Sequence, residues 1–120
     1  MTGEQEKLRI VQEIVPGREI TLCHIIANPD ATLYSQIGMQ PDADCSKSAI
    51  GIVTVSPSET AIIIADIALK ASGVALCSAD RVSGTLIITG TVSEVESALH
   101  ALTDYAQETL HFSICDITKT

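Results

Sequence analysis

The stretch SPSETAIIIADIALKASG, residues 56–73, decides the fold, because three adjacent isoleucines suit a buried strand as well as a helix. Its boundaries favour the helix. Ser56 is placed to act as N-cap, with Pro57 at the first helical position and Glu59 positioned to return the capping-box hydrogen bond. Gly73 is placed to supply a left-handed stop after roughly four turns. Inside these limits the charges are Glu59, Asp66 and Lys70, and the last two stand i, i+4 with the acid first, the favourable order for a surface pair. Ala61, Ala65, Ala68 and Ser72 make a second stripe, of small residues, against which another backbone can approach closely. Ile64, Ile67 and Ala71 make a third, apolar stripe. A helix that is apolar on nearly every side is expected to be covered on nearly every side.

The chain has 120 residues, enough for one domain and one core. Each isoleucine left in water forgoes ~1.5–3 kcal/mol. Two or three of them forgo an amount comparable with a whole domain's stability of ~5–15 kcal/mol. Either a second helix of the same chain covers the surplus, or another subunit does, and the excess of apolar surface favours the subunit. Ile62, Ile63 and Ile64, with Asp66 and Lys70, are the interface candidates.

Composition restricts the partners. The net charge is −8, and the seven cations are scattered, so no footprint for a phosphate backbone exists. Three aromatics, Tyr34, Tyr105 and Phe112, make no stacking platform for bases. Nucleic acid is therefore not an expected partner. No run approaches the ~20 apolar residues of a membrane-spanning helix, and the opening MTGEQEKLR lacks the order of a signal peptide. The expectation is a soluble intracellular protein with no membrane contact. Cys23, Cys45, Cys77 and Cys115 are widely spaced and read as reduced thiols; no zinc-ligand spacing is present. A cluster built from cysteines of several subunits around an axis escapes that spacing argument, with Cys45 and Cys77 as its candidates. His24, His100 and His111 are isolated, and no nucleophile elbow, phosphate loop or metalloprotease motif occurs. No catalytic residue and no cofactor are assigned.

Outward from the isoleucine helix, LRIVQEIV (8–15) alternates as a short strand ending at a Pro16-Gly17 turn. REITLCHIIA reads as a second strand. Asn28 is then expected to cap a short helix, with Pro29 in its first turn and Gly38 closing it. A polar loop, MQPDADCSKS, precedes the buried strand AIGIVTV. VALCSA and GTLIIT are strands joined tightly through Asp80, Arg81, Val82 and Ser83. A second helix follows, capped by Thr91 with Glu94 or by Ser93 with Glu96, its core stripe being Val95, Ala98, Leu99, Leu102, Ala106 and Leu110. HFSICDI reads as the closing strand. From residue 49 the order is strand, helix, strand, strand, helix, strand, an α+β sandwich of ferredoxin-like type.

VPGREITLCHIIANP, AIGIVTVSPSETAIIIADIALKASGV, DRVSGTLIITGTVSEVESAL and the terminal ICDITKT, in that order, resemble the circularly permuted shell proteins of bacterial microcompartments. The chain resembles those of the ethanolamine- and propanediol-utilisation compartments, from about Leu8 to Thr120. The resemblance implies a permuted BMC domain over 17–120, preceded by an arm and barrel strand over 1–16. It implies a structural, non-enzymatic shell protein whose homohexamers tile the wall around an aldehyde-producing catabolic pathway, beside other shell proteins and encapsulated enzymes. It also implies that the N-terminal strand joins its symmetry mates in a β-barrel over the axis, capping or restricting the pore. Leu8, Ile10, Gln12 and Ile14 would then face the barrel axis, a closure that removes the strand's free edges. Asp80, Arg81, Val82, Ser83 and Gly84 would lie near the pore. The competing function is a shell component that binds a metal or Fe–S cluster and carries electrons.

Overall fold

A computed structural model describes residues 15–30, 32–36 and 49–120. Five strands, β1 (Glu19–Ile26), β2 (Ala49–Ser56), β3 (Ala75–Asp80), β4 (Thr85–Gly90) and β5 (Thr118–Lys119), form one sheet in the order β3-β4-β2-β1-β5. The helices are α1 (Leu33–Gln36), α2 (Thr60–Ala71) and α3 (Val92–Glu108). All strand pairs are antiparallel except β1 with β5, which is parallel. The sheet is open among the described residues, with β3 and β5 at its edges.

The near-continuous apolar run of β2 places it centrally, between β4 and β1. Ala49, Val53 and Val55 of β2 join Leu86 and Ile88 of β4 in a single core with α2 and α3. Gly51 belongs to the same face, where a Cβ would crowd Val95 of α3 and Ile88. α3 contributes Val95, Ala98, Leu99, Leu102 and Ala106, all fully buried, so the expected stripe is its core face. Leu110 lies past the helix end and packs from there, partly buried.

The strand order contains one departure from the expected sandwich. The fourth position, beside β2, is held by β1, which precedes the rest of the sandwich in the chain. HFSICDI is therefore not the closing strand: it touches the sheet through a single bridge, Ser113 to Glu19, and regular pairing resumes only at β5. Because β1 already occupies the edge of β2, the tail can only run parallel along the outer side of β1. Relative to a simple ferredoxin-like order, the last strand has moved to the front of the chain, which is a circular permutation written in the topology.

Three local expectations are also revised. Ser56 pairs with Glu19 as the last residue of β2, so it cannot cap α2. The helix instead begins through three short-range bonds, Thr60 N to Pro57 O (3.0 Å), Ala61 N to Ser58 O (3.1 Å) and Ile62 N to Glu59 O (3.2 Å). Gly73 does not take left-handed angles; its missing side chain makes room for the Glu94 carboxylate. Ser72 donates to the Glu94 carbonyl at 2.8 Å, fastening the end of α2 to the first turn of α3. Asn28 and Pro29 lie ahead of α1 rather than in it, and Asp30 accepts from the Thr32 amide (2.9 Å) at the approach to that helix. Gly38 lies outside the described residues.

Of the two caps considered for α3, Thr91 is the one used. Its hydroxyl accepts from Glu94 N (3.1 Å) and the Glu94 carboxylate accepts from Thr91 N (2.9 Å), a complete capping box. Glu96 is engaged elsewhere, with Lys119. Thr91→Ala should therefore cost about 1 kcal/mol, whereas Ser93→Ala should stay within about 0.5 kcal/mol of wild type. Equilibrium denaturation of the two variants checks this.

Candidate assembly interface

α2 divides into two unlike faces. Ala61, Ile64, Ala65 and Ala68 are buried in the core that the sheet and α3 share, so the small-residue stripe lies on the inner face of α2. Ile64 is fully buried in its own subunit and is therefore withdrawn from the interface candidates. Ile62 (50 % exposed), Ile63 (45 %) and Leu69 (41 %) point outward. At 100° per residue the outer face carries Ile62 and Leu69 along one side, Ile63 and the half-buried Ile67 along the other, and Asp66 with Lys70 between them. Lys70 Nζ stands 2.7 Å from Asp66 Oδ2, and that hydrogen bond raises the ammonium pKa above its ordinary value. The pair is well exposed and contributes little to stability. Leu69 was missed from sequence, although its i+7 relation to Ile62 puts it on the same stripe.

The β3–β4 connection is a stiff tip. Asp80 Oδ1 accepts from Val82 N (2.8 Å), and Asp80 O accepts from Gly84 N (2.8 Å). The Val82 amide, then the Ser83 hydroxyl and amide, hold the Asp80 carboxyl below its ordinary pKa. Gly84 has φ 77°, and its carbonyl accepts from Val55 N (2.9 Å), with no room for a Cβ against Val55 O. Val82 projects from this tip, 83 % exposed. The structure thus brings Asp80, Arg81, Val82, Ser83 and Gly84 together at one end of the sheet. Leu8, Ile10, Gln12, Ile14 and Cys45 lie outside the described residues.

The remaining reactive side chains do not converge. Cys23 is buried in the core, where desolvation and then the neighbouring Cys115 push its thiol up to about 12. Cys115 is also raised, chiefly by burial, and Cys77 is exposed on β3. Among the described residues no three His, Cys, Asp or Glu side chains gather as a metal-ligand set. His24 fastens the tail, with Nδ1 2.6 Å from Thr118 Oγ1 and Nε2 2.9 Å from Thr120 Oγ1. An open groove of about 560 Å³ runs between α3 and residues 114–119, bridged by Lys119 Nζ and Glu96 Oε2 at 2.7 Å. No described helix is long and apolar enough to cross a membrane.

The family model for the BMC domain matches residues 49–118. The chain belongs to the BMC-domain family. Bacterial microcompartment shell protein PduU of Salmonella typhimurium is 45 % identical over 112 residues, covering 93 % of each chain. Shell protein EutS of Escherichia coli is 45 % identical over 115 residues, 96 % of this chain and 99 % of its own. Among solved structures, a flat hexamer of CutR superposes with a TM-score of 0.80 at 39 % identity, covering 90 % of this chain and 95 % of that one. These relatives are bacterial microcompartment shell proteins.

The raised Cys23 pKa has a definite sign in stability. The unfolded thiol ionises near 9 while the folded one stays protonated to about 12, so the stabilisation is complete below pH 9 and is lost as pH rises toward 12. Denaturation midpoints at pH 8 and pH 10.5 should differ more for wild type than for Cys23→Ala. At pH 8, thiol labelling followed by peptide mass analysis should modify Cys77 readily and Cys23 only on unfolding.

Proposed function

We propose that this protein is a structural subunit of a bacterial microcompartment shell, assembling as a homohexamer that tiles with other shell proteins. One observation carries the reading: α2 turns its small residues inward and three large aliphatic side chains outward. A core already closed by α3 and the sheet has no use for Ile62, Ile63 and Leu69. A second copy does, because burying them recovers apolar surface that a monomer leaves wet. The hexameric CutR relative supports six as the number of copies. The role is structural rather than catalytic, and no observation favours the metal or Fe–S alternative.

Within that reading, residues 1–16 are an arm added to a BMC domain spanning 17–120. Leu8, Ile10, Gln12 and Ile14 line a small barrel over the axis, which restricts the pore. Val82 and its neighbours at the stiff tip lie close to that axis. Encapsulated enzymes meet the shell as cargo.

The interface is testable on two exposed positions. Ile62→Glu with Ile63→Glu should leave the subunit folded, since surface changes away from packed features move stability by about ±0.5 kcal/mol. Each inter-subunit contact should weaken by on the order of 3 kcal/mol, about 100-fold. Sedimentation velocity should then show loss of the hexamer at micromolar concentration with the far-UV circular dichroism retained. A folded double variant with wild-type mass contradicts the assignment of α2 to the interface.

A further inference from the structure

The turn at residues 15–18 faces the end of α3. Arg18 N donates to Val15 O at 3.1 Å across Pro16 and Gly17, and Gly17 has φ 84°. Proline at the second position and a left-handed glycine at the third define a type II turn. A Cβ on Gly17 would meet nothing within 4 Å, so glycine is needed there for its backbone angle and not for space.

Four hydrogen bonds join this turn and the start of β1 to the chain that leaves α3. Val15 N donates to His111 O (3.1 Å) and Arg18 Nη1 donates to Leu110 O (3.1 Å). Ser113 N donates to Arg18 O (3.0 Å), and Ile20 N donates to Ser113 O (2.8 Å). His111 has φ 60°, the one non-glycine residue with positive φ among those described. That angle is unfavourable for a side chain with a Cβ, and its persistence marks a constraint from the surroundings. Here it accompanies the His111 carbonyl that receives the Val15 amide. α3 has no basic residue in its last turn, so its C-terminal partial charge is left to a cation from outside. The Arg18 guanidinium reaches the carbonyl two residues beyond that helix.

We propose that residues 15–18 and 110–113 form a rigid joint that sets the bearing with which the N-terminal arm leaves the domain, with Arg18 as its positioning residue. Gly17 and His111 both take left-handed angles, the first turning the chain and the second presenting its carbonyl to Val15 N. The purpose of the joint rests on the axial arm described above, since six arms can meet at one axis only if each departs at the same angle. Its existence does not depend on that arm.

Two readouts separate the joint from its purpose, both on the full-length hexamer. The first is amide hydrogen exchange at Val15 and Ser113, and the second is trypsin cleavage after Lys7 and Arg9, followed by mass spectrometry. Arg18→Ala and Gly17→Ala should each speed exchange at Val15 at least tenfold and trypsin trimming at least tenfold, with the hexamer mass unchanged. Arg18→Lys should recover part of the protection, and His111→Gly, which keeps the carbonyl and eases the angle, should match wild type. Wild-type exchange at Val15 in both Arg18→Ala and Gly17→Ala contradicts the joint. If the exchange responds as expected but wild type is trimmed as fast as a free peptide of residues 1–14, delivery of the arm is overturned together with the axial reading.

Discussion

The burial of Ala61, Ala65 and Ala68 in the core shared by the sheet and α3 is the constraint from which the rest follows. Most surface helices bury their large apolar residues and expose small or charged ones. α2 does the reverse on two of its stripes: the alanines take the inward positions, and the neighbouring Ile62, Ile63 and Leu69 are left facing outward. Ile64 is the only isoleucine of the triplet that reaches the core. The subunit is thus complete as a packed body and incomplete as a surface. Ser72 and Gly73 reinforce the arrangement by seating the end of α2 on Glu94, the residue that also closes the cap of α3.

The second constraint is topological. With β1 holding the place beside β2, the C-terminal tail has only the outer side of β1 left to run along. It is secured at one end through Arg18, Ser113 and Ile20, and at the other through Thr118 and Thr120 with His24. The start of the domain therefore meets the tail where the tail leaves α3, and the last residues lie at the opposite end of β1. The Pro16-Gly17 turn sits at that meeting point, hydrogen-bonded to the residues that leave α3.

Much of this was legible in residues. β1, β2 and β4 follow from β-branched runs bounded by turn residues, β3 from its short span between Gly73 and the Asp80–Gly84 turn, and α3 from its stripe and Thr91-Glu94 cap, because each signal is local and no stronger competitor exists. The α2 surplus was legible too, since a triplet of isoleucines has no single-faced reading. What stayed hidden required a partner distant in sequence. Ser56 looks like a cap until Glu19 claims it for the ladder, Gly73 looks like a stop until Glu94 fills its space, and HFSICDI looks like a strand until β1 takes its edge. Which isoleucine turns inward depended on where α3 lies, so Ile64 could not be separated from Ile62 and Ile63. The family likeness drew on the order of whole segments, and the BMC-domain match over 49–118 bears it out.

The central claim is that the outer face of α2 is covered by another copy. Hydroxyl-radical footprinting of the wild-type protein, at concentrations above and below its dissociation, reads that face residue by residue. The account predicts that oxidation of Ile62, Ile63 and Leu69 falls severalfold in the assembled protein relative to the dissociated subunit. Equal oxidation of these three residues in both states would place the subunit contacts elsewhere and contradict it.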